Sequence, residues 1–290
     1  MPSQMERRVR RLSQHLGGVT SVAGADATGP SNTIVVAVTG CTSGLGLNLC
    51  REFARRAGYQ VAGCGRRQEL IDALNDEFGA AGHKFYAADS SSSESVRGWS
   101  DAVLSDFGRV DVLVNNAGLG GAGTLPWKMD VARFGQVIDT NIKGVFYGCK
   151  YFTQAMLNDL VAHPERGVIK RIINISSGVG HSTSPIQADY SASKWGVEAF
   201  SKSTAQGFHL LRDGKRTSDA VKTACDSILC VPLAPGVVAT EMNTTPGIPG
   251  AEEWCKPAVD FIMSIPVSES GSSLSVPGFY SKDYMGDNHL

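Results

Sequence analysis

From residue 33 onward, short runs of apolar, often β-branched residues alternate with longer stretches whose apolar positions recur every three to four residues. TIVVAVTG (33–40) predicts a strand that stops at a glycine, and LGLNLCREFARRAG (45–58) predicts a helix closed by another. The same alternation continues with a strand at YQVAGCG (59–65), a helix at RQELIDALNDEFGAAG (67–82) and a strand at KFYAAD (84–89). A helix at SESVRGWSDAVLSDFG (93–108) and a fourth strand at RVDVLVNNAG (109–118) follow. A long helical region covers roughly 128–161, and IKRIINISS (169–177) reads as the fifth strand. The helix YSASKWGVEAFSKSTAQGFHLLR (190–212) leads to a sixth strand, DSILCVPLAPG (226–236). Strand and helix in strict alternation predict an α/β fold, a doubly wound parallel sheet with helices on both faces. No internal repeat or change of composition divides residues 33–290, so one domain is expected.

The first 32 residues break the rhythm. MERRVRRLSQHL places Met5, Val9, Leu12 and Leu16 on one helical stripe beside Arg7, Arg8, Arg10 and Arg11, and a Gly/Ser/Thr-rich linker follows. This Arg-rich, acid-poor start is either a flexible solvated extension or an organelle-targeting segment.

Composition narrows the function classes without naming one. With 42% apolar and 19% charged residues, the chain matches an ordinary globular protein. A net charge of −1 offers no field for nucleic acid, and no apolar run reaches the roughly 20 residues that span a bilayer. Seven scattered cysteines without a CxxC pair argue for an intracellular, reducing compartment, most simply the cytoplasm, and the six histidines are not clustered for a metal.

Chemistry concentrates at the ends of the predicted strands. TGCTSGLG (39–46) joins the first strand to the first helix and carries Gly40, Gly44 and Gly46 around Thr42, Ser43 and Leu45. A helix N-terminus reached by a glycine turn offers backbone N–H groups to an anion such as a pyrophosphate. The spacing is G-x-x-x-G-x-G, not the G-x-G-x-x-G of many dinucleotide sites. After the second strand an NAD binder would place an acid for the ribose 2′-OH, whereas this chain has Arg66 and Arg67. Guanidinium forks suit a 2′-phosphate, so NADP(H) is the preferred cofactor, with NAD(H) as the alternative. In DYSASKWG (189–196), Tyr190 and Lys194 are four apart and share a helix face. A nearby cation would lower a phenol's pKa and make a proton shuttle, although the same spacing also arises in surface pairs.

Taken together the motifs resemble the short-chain dehydrogenases/reductases, in the branch with a single Rossmann-like domain. TGCTSGLG matches that family's TGxxxGxG, DVLVNNAG its NNAG, DYSASK its YxxxK and LAPGVVAT its PG-x-x-x-T, in order, across roughly 33–245. The resemblance implies a catalytic tetrad of Asn141, Ser177, Tyr190 and Lys194. Tyr190 would protonate a carbonyl while a nicotinamide delivers hydride, and Ser177 would donate a hydrogen bond to the same oxygen. Lys194 would hold the nicotinamide ribose and depress the tyrosine pKa, and Asn141 would hold a water. Ser176 is the neighbouring alternative to Ser177, but a single step along a strand turns the side chain to the other face. The resemblance further assigns the adenine contact to Asp89 and Ser90, and the cofactor cleft to Asn115, Asn116, Ala117 and Gly118. Pro235, Gly236, Val238 and Thr240 would meet the nicotinamide end. Asp89 could equally cap the helix that follows it, and Cys41 and Cys64 are expected to be packing residues.

The implied reaction is NADPH-dependent hydride transfer between the nicotinamide and a small-molecule carbonyl or alcohol. Reduction of a 3-oxoacyl thioester and a non-catalytic NADP(H) sensor are the alternatives. Relatives are commonly dimers or tetramers, so a homodimer or homotetramer is expected. Substrate would lie between 178–189 and a loop at 241–265, where Met242, Ile248, Trp254, Phe261 and Met263 suggest an apolar wall. His181 is a loop histidine that could touch substrate. Residues 212–223 look like an insertion, Val231 stands where the family usually has asparagine, and 278–290 resemble the family's last strand only loosely.

Overall fold

The computed structural model describes residues 33–279. The seven strands are β1 (Ile34–Thr39), β2 (Tyr59–Gly65), β3 (Lys84–Ala87), β4 (Val112–Asn115), β5 (Lys170–Ile175), β6 (Ile228–Ala234) and β7 (Leu274–Ser275). They form one sheet in the order β3-β2-β1-β4-β5-β6-β7, and every pairing is parallel. Parallel neighbours need long crossovers, and the helices supply them. These are α1 (Gly44–Arg55), α2 (Gln68–Phe78), α3 (Ser93–Phe107), α4 (Val131–Ile138), α5 (Gly144–Ala162), α6 (Ala188–Arg212), α7 (Asp219–Cys225) and α8 (Ala251–Ser264).

The two-residue period of a strand sends neighbouring side chains to opposite faces, and β1 shows the result. Val36 and Val38 join Leu49 and Phe53 of α1, Ile71 of α2 and Trp254 and Ile262 of α8 in one core cluster. Val35 and Ala37 join Trp99 of α3, Phe152 and Met156 of α5 and Phe208 of α6 in the other. Each fully buried aliphatic side chain contributes roughly 1.5–3 kcal/mol. A strand buried on both faces therefore has no polar positions to spare, which is why β1 reads as an unbroken apolar run.

Strand order reverses between β1 and β4, so their crossovers leave toward opposite faces and open a crevice beyond their carboxyl ends. The amino ends carry a different device. There Lys170, buried at the start of β5, donates to Asp111 at 2.6 Å and to the Val110 carbonyl at 3.1 Å, and also to Asp159. This cation is fully paired and locks α5 to the sheet far from the crevice.

Several elements depart from their sequence expectations. β2 spans its expected run, whereas β1 and β3 to β6 end one to three residues earlier than theirs, because the flanking residues belong to the loops that build the crevice. The helical region at 128–161 is a 3₁₀ turn (Pro126–Lys128), then α4, a π-helical turn (Asp139–Lys143) and α5. The 212–223 stretch ends in α7, whose N-cap Ser218 accepts from the Val221 amide and whose Ala224 and Cys225 enter the core. Val231 lies inside β6 opposite Ile173, five residues before Gly236, and has no part in that turn. The last strand is β7, upstream of 278–290, and it pairs Leu274 with Leu233. The stripe of Met5, Val9, Leu12 and Leu16 and the residues after 279 lie outside the described residues. Among the described residues no helix is long and apolar enough to cross a membrane.

Candidate active site

The turn after β1 is shaped by two kinds of glycine. Gly40 and Gly44 have φ of 73° and 55°, the left-handed region that L side chains avoid. Gly46 is needed for space instead, since a Cβ there would sit 2.2 Å from the Gly40 carbonyl oxygen and 2.3 Å from Asn116 Nδ2. That amide donates to the Thr39 carbonyl at 2.9 Å, while Thr39 Oγ1 accepts from the Asn116 and Ala117 amides at 2.9 and 3.0 Å. The NNAG turn after β4 is thus bolted to the glycine turn after β1, and the Asn116 side chain braces the loop rather than facing the crevice. Asn115 points inward to Asn174 Oδ1 at 2.8 Å. Ser43, the N-cap of α1, makes no side-chain capping bond, which leaves the first-turn N–H groups of α1 directed at the crevice. Leu45 packs against the core beneath the turn.

At the end of β2 the two arginines differ. Arg67 donates to the carbonyl and hydroxyl of Thr42 at 3.1 and 3.3 Å, clasping the glycine turn. Arg66 is exposed and makes no side-chain hydrogen bond or ion pair among the described residues. Asp89 holds its own loop, accepting from the Ser91 amide and hydroxyl at 2.9 and 2.7 Å, and Ser92 rather than Asp89 caps α3. Ser90 is buried, its carbonyl close against Gly144. Beyond β6, Pro235 accepts from Trp254 Nε1 at 2.8 Å, Gly236 turns with φ 86°, and Val238 is buried. Thr240 folds back over the glycine turn, 3.9 Å from where a Gly44 Cβ would lie.

The π-helical turn presents Asn141, fully buried, toward the NNAG loop. Its Oδ1 accepts from the Leu119 amide at 2.7 Å, and its Nδ2 donates to the Leu119 carbonyl at 3.0 Å and to Ser193 Oγ at 2.9 Å. Ser193 donates in turn to the Tyr190 carbonyl at 2.7 Å. Gly118 fits between Asn141 Oδ1 and Lys194 Nζ, which lie 3.4 and 3.8 Å from its missing Cβ. Helical periodicity alone does not announce a π turn; such turns recur at functional sites because they turn a side chain out of register.

Tyr190 sits in the first turn of α6 with Lys194 below it, Nζ 5.5 Å from the ring centroid. Lys194 donates to the Ile175 carbonyl at 2.8 Å. Burial lowers its pKa from the ordinary 10.5 to about 8, partly offset by the Glu198 carboxylate. The phenol departs from expectation. Its pKa is raised, not depressed, because desolvation outweighs a side-chain hydrogen bond from Ser177. Lys194 is turned toward the strand end and lies under the ring rather than at the hydroxyl. Ser177 and Ser176 point apart: Ser177 toward Tyr190, Ser176 into a buried bond with Glu198.

The arrangement also involves residues that no motif flagged. Asp189, completely buried, accepts from the Tyr190 amide at 2.8 Å and the Ala122 amide at 3.1 Å, tying α6 to the loop after NNAG. Arg133 donates to the Gly120 carbonyl at 2.7 Å. A carboxylate beside the tyrosine, DY, was the available signal for Asp189.

The expected apolar wall is smaller than the sequence suggested. Met242 borders the crevice, its Cγ and Sδ 3.6 Å from a Gly120 Cβ, whereas Trp254 is core and Phe261 and Met263 pack against it. Ile248 is half-buried in the loop before α8. His181 faces Glu198, with Nε2 3.2 Å from Oε1. All seven cysteines are buried and unpaired with one another; burial pushes the Cys41 thiol up to about 12 and raises Cys64 well above its ordinary value, as suits packing residues.

Comparison with known proteins adds to this geometry. The family model described as short chain dehydrogenase matches residues 34–247. An NADPH-dependent pterin aldehyde reductase of Arabidopsis thaliana is 32% identical over 260 residues, covering 86% of this chain and 97% of that one. A 3-oxoacyl-[acyl-carrier-protein] reductase of Staphylococcus aureus is 33% identical over 71% of this chain and 75% of its own length. Among solved structures, an actinorhodin polyketide ketoreductase with NADPH is 27% identical with a TM-score of 0.68, over 86% of this chain and 97% of that one. A 3-ketoacyl-(acyl-carrier-protein) reductase of Brucella melitensis, complexed with NADH, matches the fold at 24% identity with a TM-score of 0.70, over 85% and 98%.

Proposed function

This chain belongs to the short-chain dehydrogenase family of oxidoreductases, and we propose that within it the protein is an NADPH-dependent reductase of a small, fairly apolar carbonyl compound. The observation that carries the reading is the convergence of Ser177, Tyr190, Lys194 and Asn141 on the crevice edge, with β4 between them and a glycine turn with uncapped helix amides. That turn fits a dinucleotide: Gly40, Gly44 and Gly46 keep side chains out of the way, and the first-turn amides of α1 offer donors for a pyrophosphate. When bound, the nicotinamide supplies the hydride.

The chain's own residues do the rest. Ser177 donates a hydrogen bond to the substrate carbonyl oxygen and favours the negative charge that develops there. Tyr190 gives its proton to that oxygen, so a ketone or aldehyde leaves as an alcohol. A phenol kept protonated by burial is the correct form for a donor in the reductive direction. Lys194, a cation whose affinity for its proton is already weakened, holds the ribose side of the cleft and follows the tyrosine's charge. Asn141 fixes the floor beside Gly118. Asp89, Ser90, Ala117, Pro235, Gly236, Val238 and Thr240 line the cofactor's path. Association into a homodimer or homotetramer is supported by Phe146 and Trp195, large apolar residues left 43% and 49% exposed on α5 and α6.

The test is NADPH oxidation followed at 340 nm against aliphatic, aromatic and heteroaromatic aldehydes and ketones. Turnover of at least one class is expected. None, with NADPH binding confirmed by fluorescence, would overturn the reductase reading.

Cofactor choice rests on Arg66. Its guanidinium has no partner among the described residues, unlike that of Arg67, and so is free to meet a 2′-phosphate. A charge-assisted hydrogen bond contributes roughly 1.5–3 kcal/mol, which is about ten- to hundredfold in affinity. Arg66→Asp is expected to weaken NADPH by that factor and to leave or improve NADH. An unchanged NADPH dissociation constant would place the phosphate elsewhere.

A further inference from the structure

Glu198 is a carboxylate only 4% exposed, and beyond its charge opposing the fall in the Lys194 pKa it has no part in the proton transfer above. Burying such a charge is costly unless its oxygens are satisfied. Here they are: Oε1 accepts from Ser176 Oγ at 2.5 Å and lies 3.2 Å from His181 Nε2, while Oε2 accepts from Ser273 Oγ at 2.6 Å and lies 3.9 Å from Lys202 Nζ. It follows Lys194 by one helical turn, so both side chains leave α6 on the same face.

What these bonds reach matters more than their number. Lys194 holds the carbonyl of Ile175, Glu198 holds the side chains of Ser176 and His181, and Trp195 Nε1 donates to the Ser182 carbonyl at 3.0 Å. Ser177 lies within this span, its own carbonyl closing a 3₁₀ turn (Gly178–Gly180) by accepting from the Gly180 amide at 2.9 Å. Gly180 is pressed so closely into the cluster that a Cβ would fall 2.9 Å from Ser176 Oγ and 3.1 Å from Glu198 Cγ. The strand end that carries the proposed carbonyl-binding hydroxyl is therefore fastened to the helix that carries the proton donor. Ser176 and Ser177 face opposite ways, so a side chain gripping the first fixes the rotation of the second.

Resting on the reductase reading, we infer that Glu198 is a positioning residue: through Ser176 it sets the place of Ser177 Oγ relative to Tyr190. Removing it lets the 176–181 turn drift while Lys194, Tyr190 and the glycine turn keep their own bonds. A displacement of about 1 Å costs on the order of a hundredfold in rate, and a partial drift costs less.

The experiment is a double-mutant cycle with Ser177→Ala, assayed on whichever carbonyl the wild type reduces. Glu198→Ala is expected to lower kcat about ten- to hundredfold, with KM and NADPH affinity within about twofold. Glu198→Gln, which can still accept from Ser176, is expected to recover most of the loss. In the Ser177→Ala background, Glu198→Ala should cost less than about threefold, because the group it positions is gone. The full factor persisting in that background, or a loss confined to KM or NADPH affinity, would overturn the inference. Hydrogen exchange supplies a readout without turnover. Faster exchange of the Gly180 and His181 amides in Glu198→Ala, with α6 unchanged, is expected; unaltered exchange would overturn the inference whatever the protein reduces. An absence of turnover in the wild type would count against the reductase reading alone.

Discussion

Tyr190→Phe is expected to lower kcat for carbonyl reduction by about 10²–10⁴-fold, the usual worth of a positioned proton donor, and to leave NADPH affinity nearly unchanged. The variant removes one oxygen from a ring whose apolar body stays packed beside Lys194. It deletes the proton without disturbing the glycine turn, which lies on another strand. Burial raises the phenol, so at neutral pH the wild type is almost wholly in the donating form. The reverse reaction needs the phenolate, so alcohol oxidation should climb with pH where reduction does not. Stopped-flow single turnovers of both proteins check the first expectation, and a pH series of the wild type checks the second. Undiminished reduction by the phenylalanine variant would exclude Tyr190 as the donor.

Gly46→Ala should weaken NADPH binding about ten- to hundredfold and lower the melting temperature by several degrees. One methyl group there meets the Gly40 carbonyl oxygen and Asn116 Nδ2 at distances no real contact shows. Either the turn after β1 or the NNAG loop after β4 must then move. Overpacking of this kind costs about 1–3 kcal/mol, which corresponds to that range of affinity. Gly44→Ala is the informative partner, because its Cβ would meet only Thr240, at an ordinary van der Waals distance of 3.9 Å, and so suffers chiefly the strain of a positive φ. Titration of cofactor fluorescence, with melting curves alongside, separates the two. Equal, negligible effects in both variants would mean that the turn is not the cofactor cradle.

The sheet was readable from the chain because the central strands are buried on both faces and so appear as short, mostly apolar runs, β1 (IVVAVT) and β6 (ILCVPLA) most plainly, while β5 keeps its apolar Ile172, Ile173 and Ile175 among Lys170, Arg171 and Asn174. The glycine turn and the Tyr190–Lys194 pair were readable because both depend on local spacing. Features that depend on the third dimension were not. Nothing in DTNIKG announces a π turn, and nothing in the spacing of Trp254 distinguishes core from pocket wall. The raised pKa of Tyr190 follows from what surrounds the ring, which no spacing records. Glu198, lying one helical turn beyond a motif lysine, looks like an ordinary solvent-facing acid until the sheet brings Ser176 and Ser273 against it.

The seven buried thiols have a consequence for the molecule's motions. Cys41, Cys50 and Cys64 surround the root of the glycine turn, while Cys149 and Cys230 lie against Asn174 of β5. Alkylating reagents attack the thiolate, and these groups are both inaccessible and, for Cys41, Cys50, Cys64 and Cys230, held protonated. Such a reagent therefore meets a cysteine only when the surrounding layer opens, so the order in which the seven are modified maps local opening free energies along the chain.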